Sequence, residues 1–76
     1  MTCSVFPNPA QDKLTVNSEY KVKEIVVTDI SGKEVLKKEL NSYSFIVDIH
    51  KLKAGSYVMQ LDTQGGITRK KFVIDR

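Results

Sequence analysis

Apolar and polar residues alternate with a period of two along most of the chain. Leu14 and Val16 flank Thr15, and Ile25 and Val27 flank Val26. Phe45, Val47 and Ile49 are separated by Ile46 and Asp48, and Tyr57, Met59 and Leu61 by Val58 and Gln60. Successive side chains of an extended chain point to opposite faces, so each run predicts a strand with one apolar face. Helical spacing can be forced onto residues 22–40, but Ile25, Val26 and Val27 are consecutive β-branched residues stiff at χ1, and Gly32 interrupts the window. No helix longer than a turn is predicted.

Turn chemistry separates the runs. Pro7-Asn8-Pro9 fixes two φ angles and removes two backbone donors, so it is a corner that ends a first strand. Asp29-Ile30-Ser31-Gly32 places Asp first and Gly fourth in a type I turn, so Lys33–Leu40 is expected to return antiparallel to Val22–Thr28. Asn41-Ser42 and Lys53-Ala54-Gly55 are read as further loops, and Asp62–Gly66 as a hairpin loop. Short strands at this spacing leave no room for parallel crossovers. The predicted fold is all-β, a small antiparallel, immunoglobulin-like β-sandwich of six or seven short strands in two packed sheets.

A length of 76 residues fits one domain. With 41% hydrophobic and 28% charged residues the composition is that of a folded globular chain rather than a disordered one. No apolar run approaches the roughly 20 residues of a membrane-spanning helix, so no membrane insertion is expected. Met1-Thr2-Cys3-Ser4 lacks the basic and apolar regions of a signal peptide, so if the protein is exported its signal lies upstream. The single cysteine, Cys3, allows no intrachain disulfide, and with a single histidine it makes no zinc set. The net charge of +3 is small, and only Arg69-Lys70-Lys71 forms a basic run, without interleaved aromatic residues. Nucleic acid is therefore not an expected partner.

Candidate chemistry is sparse. His50 stands without a Gly-x-Ser-x-Gly elbow, the carboxylates are scattered singly, and no calcium-loop or phosphate-cradling glycine pattern occurs. A pocket of several hundred cubic ångströms would hollow out most of so small a core. No enzyme, cofactor or metal is expected.

The order of the turns carries a resemblance. Val5-Phe6-Pro7-Asn8-Pro9-Ala10, then Asp12–Val16, then Val27-Thr28-Asp29-Ile30-Ser31-Gly32-Lys33-Glu34-Val35 resembles the type A C-terminal sorting domain of the type IX (Por) secretion system of Bacteroidetes. Val47–Met59 is similar to that family's Leu-x-x-Gly-x-Tyr strand, here Leu52, Gly55 and Tyr57, and Lys70-Lys71-Phe72-Val73-Ile74 to its closing basic-apolar strand. Phe6 stands where Tyr is frequent and Lys53 where Pro is frequent. The resemblance implies a secretion label over residues 4–76, with residues 1–3 an expression start or linker remnant. It implies a larger cargo fused on the N-terminal side, a dedicated outer-membrane translocon and a sortase-like peptidase as partners. The cargo would pass the periplasm and be exported to the cell surface or beyond.

Two groups of residues follow as candidates. Pro7, Asn8, Pro9, Asp29, Gly32, Lys33, Leu52, Gly55 and Tyr57 form the turn motif, each with a structural reading beside the sorting one. Tyr57, for instance, is expected to pack inward with its hydroxyl on a loop carbonyl. Lys70, Lys71, Phe72, Val73 and Ile74 form the terminal strand, where lysines either guard an edge or rim one that a receptor reads by strand addition. An unpaired edge also offers a weak dimer. The alternative function is an immunoglobulin-like or fibronectin-like adhesion or carbohydrate-binding module, with Tyr20, Tyr43 and Phe45 as stacking rings.

Overall fold

The structure is a computed structural model that describes residues 3–75; the expected start at Met1-Thr2, and Arg76, lie outside the described residues. Five strands form, β1 (Cys3–Phe6), β2 (Lys13–Asp29), β3 (Glu34–Asp48), β4 (Gly55–Thr63) and β5 (Gly66–Ile74). Among the described residues there is no helix, and every strand-to-strand ladder is antiparallel. The all-β antiparallel expectation holds.

The strand count does not: among the described residues there are five strands rather than six or seven, in one curled sheet that is consistent with a small β-sandwich but is not split into two separate sheets. Asn41 and Ser42, expected as a loop, lie inside β3, and the residues between Val16 and Val22 lie inside β2. Both long strands pass through both layers. Residues 13–17 of β2 pair with residues 44–48 of β3, while β1 covers the other edge of β2 across Thr15–Ser18. Residues 22–29 pair with the first half of β3 on one side and with β4 on the other, and β4 pairs with β5.

A change in side-chain phase lets one strand serve two layers. In β2 the buried positions are Leu14, Val16 and Val22, then Ile25 and Val27, a switch from even to odd that coincides with the register shifts at Asn17/Val22 and Val22/Glu24. In β3, Leu36 and Leu40 pack against the core in the first half, and Phe45 and Val47 in the second. An irregularity in the ladder bends a strand and re-aims its side chains, so each long strand keeps an apolar face toward the space between the layers. Leu14, Ile25, Met59, Leu61, Phe72 and Ile74 fill that space and are essentially inaccessible.

The connections are tight. Gly32 donates its N–H to the Asp29 carbonyl at 3.0 Å, and with φ +88° it takes the left-handed conformation that lets the Lys33 carbonyl accept from Asp29 N–H. This is the type I turn with a following glycine expected between β2 and β3. The β4–β5 hairpin is shorter than expected: Thr63 pairs with Gly66, and only Gln64 and Gly65 lie between.

Candidate functional site at the turn end of the sheet

The turn-motif residues are scattered along the chain but converge at one end of the molecule. Asp29 pairs with Tyr57 across β2 and β4, and Tyr57 with Phe72 across β4 and β5. The rings of Tyr57 and Phe72 stack at 5.6 Å and 20° between planes. Tyr57 is buried, and its hydroxyl donates to the Lys53 carbonyl at 2.6 Å, the arrangement expected for it. This bond ties the loop after β3 to the core. Gly55 has φ +150° and pairs with Ile74. Leu52 is half-buried against the core, its N–H bonded to the Ile49 carbonyl at 3.0 Å.

The β2–β3 turn is held by one carboxylate. Asp29 Oδ1 accepts from Ser31 N–H at 2.9 Å, Ser31 Oγ at 2.6 Å and Lys33 N–H at 3.0 Å. The Ser31 hydroxyl bond foremost, with the Lys33 N–H next, holds the Asp29 carboxyl below the ordinary aspartate range. Ile30 at the turn tip is 86% exposed and overhangs a shallow cleft of about 200 Å³ lined also by Tyr57, Val58, Lys71 and Val73.

Pro7-Asn8-Pro9 follows β1 and sits against the last strand. Both proline peptide bonds are cis. Asn8 Oδ1 accepts the Val73 N–H at 3.0 Å, a contact across 65 positions of sequence. Ala10 N–H donates to the Val73 carbonyl at 2.7 Å, and Asp75 N–H donates to the Ala10 carbonyl at 2.9 Å, which makes a parallel bridge between Ala10 and Ile74. Ala10 is completely buried. Nothing in an isolated alanine marks it for this role, and its importance was not legible.

The terminal-strand candidates divide by face. Phe72 and Ile74 are sealed in the core, whereas Lys70, Lys71 and Val73 are exposed. Lys70 sits opposite the buried Met59, at a core-facing position of the strand, yet its side chain reaches solvent. The structure repeats this on β3, another outer strand, where Lys38 sits opposite Ile25. Burial raises the Cys3 thiol above its ordinary pKa, against the opposing pull of the Lys70 charge and a bond to Ser18.

Other chemistry stays thin. Asp48 Oδ1 accepts His50 N–H at 3.0 Å and lies 2.6 Å from His50 Nδ1, so the backbone bond first and the ring second hold that carboxyl low. Both side chains are exposed. Among the described residues no group of three or more His, Cys, Asp and Glu is placed to hold a metal. Tyr20 lies over Gly65, Tyr43 has Lys21 Nζ 5.9 Å from its ring centre, and Phe45 is half-buried, so the three rings make no common platform.

No curated protein matches the chain. The family model described as the secretion system C-terminal sorting domain matches residues 4–75, which leaves the adhesion and carbohydrate-binding alternative without support. That span includes every block of the turn end, from Pro7 to Ile74. The chain therefore belongs to the C-terminal sorting domain family, the secretion signal of type IX cargo proteins.

Proposed function

We propose that the turn end described above is the face by which this sorting domain directs a cargo, fused on its N-terminal side, through the type IX translocon. The family implies interaction with that secretion system and delivery through the outer membrane to the cell surface or outside. Transit through the periplasm, removal of the domain by a sortase-like peptidase and surface attachment of the cargo complete the reading. The family is not one of enzymes, and the domain's part is that of a folded label without catalytic activity of its own.

The observation that carries the proposal is the convergence of motif blocks, above all the bond from Asn8 to Val73. In this reading Asp29, Gly32, Leu52, Gly55 and Tyr57 hold the shape, with Lys33 closing the turn. Pro7, Asn8 and Pro9 set the position of the last strand. Phe72 and Ile74 anchor that strand, while Lys70, Lys71 and Val73 face the machinery. The test is export of a periplasmic fluorescent reporter carrying residues 3–76 in a Bacteroidetes host. Export is expected only where the translocon is intact, and equal retention with and without the translocon overturns the proposal.

A further inference from the structure

β5 is the last strand of the path β1-β2-β4-β5, and only one stretch of its outer edge is occupied. Thr63 and Gly66 close the hairpin, so Thr68, Lys70, Phe72 and Ile74 bond inward to β4 and the odd-numbered residues turn their N–H and C=O outward. The bonds of Val73 and Asp75 to Asn8 and Ala10 follow that parity. At Ile67, Arg69 and Lys71 the outward groups meet no backbone partner among the described residues. The free stretch is about 17 Å long at the usual strand rise.

This edge carries positive charge on both faces. Arg69 and Lys71 project from the outer face, opposite the uncharged Gln60 and Val58, and Lys70 projects from the other. Among the described residues no ion pair engages any of the three. A second copy paired here would set this run against itself, and like charges on adjacent strands repel. β3, also an outer strand, mixes Glu34 and Glu39 with Lys37 and Lys38 and selects no sign of charge.

From this we infer that the β5 edge between Ile67 and Lys71 receives a sixth strand from a separate protein, an extended segment with carboxylates on both of its faces. Backbone bonding supplies the docking, the cations choose the partner, and Asn8-Pro9-Ala10 sets the limit of the added strand before Val73. The inference rests on the proposed reading that Lys70 and Lys71 of the terminal strand face the export machinery.

The probe is an eight-residue peptide of threonine, valine and glutamate, with glutamates at adjacent positions, added to the ¹⁵N-labelled chain. Hydrogen exchange is expected to slow at the Ile67, Arg69 and Lys71 amides and to stay unchanged at Thr68 and Lys70, which already bond to β4. Arg69→Gln is expected to weaken binding about tenfold, the size of one charged contact. Arg69→Pro, which removes an outward N–H that the ladder does not use, is expected to weaken it further. Unslowed exchange in the unsubstituted chain overturns the proposal whether or not the proline variant folds. So does equal binding of the lysine-for-glutamate peptide or of an equally charged oligothymidylate, or the finding that the same amides are protected by self-association. In the export assay, secretion of both the parent and a folded Arg69→Pro reporter leaves the sorting reading standing and removes the added strand. Retention of both removes the sorting reading and, with it, this inference.

Discussion

Tyr57 does two things with one side chain: its ring stacks on Phe72 and its hydroxyl reaches the Lys53 carbonyl. Tyr57→Phe keeps the stack and drops the bond, so it is expected to lower unfolding free energy by about 1 kcal/mol, whereas Tyr57→Ala also opens a cavity and costs about 3–5 kcal/mol. Urea titration of both variants separates the two contributions. Asp29 acts at the same scale through charge. Its folded-state pKa lies below the unfolded value, so the stability it contributes is present above about pH 4 and is lost as acid protonates the folded carboxylate. Asp48 adds to the same acid limb. Asp29→Ala is therefore expected to lower the urea midpoint at pH 6 and to flatten its decline toward pH 2.5. An unchanged acid slope would show that Asp29 carries none of it.

At the scale of elements, the hairpins and the long bent strands obey different constraints. Gly65 sits under Tyr20, where an added Cβ would lie 2.7 Å from Tyr20 Cδ2. Gly65→Ala must displace that ring and is expected to cost about 1–2 kcal/mol. In a Tyr20→Ala background the same substitution should be nearly neutral, and a thermal-melt double-mutant cycle measures the difference. The apolar faces and the Asp29–Gly32 turn were readable because each is fixed by neighbouring residues. Strand continuity was not. A loop and a bulge both interrupt a period of two, and only the pairing of β2 and β3 with their partners tells one from the other. Hence Asn41-Ser42 carried the residues of a loop while lying in a strand. In the site, the turns and the inward Tyr57 were legible locally. The Asn8–Val73 bond and the burial of Ala10 were not, since both depend on contacts between opposite ends of the sequence.

Across the whole molecule, β1, β3 and β5 are the outer strands among the described residues, each paired to one neighbour, and the two longer ones, β3 and β5, each carry a lysine at a position of core-facing parity, Lys38 and Lys70. An inward-pointing charge discourages sheets from joining edge to edge. Replacing both with valine is expected to extend the apolar faces and raise light scattering at concentrations where the parent stays clear. Single replacements should show which edge is the more exposed to joining. The thiol of Cys3, buried and held protonated, is expected to react slowly with iodoacetamide at neutral pH and rapidly once urea unfolds the sheet. Equal rates in both states would show that β1 does not stay docked.

The parallel bridge of Ala10 to Ile74 has a temporal meaning as well. A ribosome makes Asn8 and Ala10 before Val73 and Asp75, which follow 65 residues later, so the clasp stays undone until translation has passed Val73. A polypeptide interrupted before that point has no mate for Ala10. Any receptor that reads the clasped form thereby inspects whether synthesis ran through the intervening message.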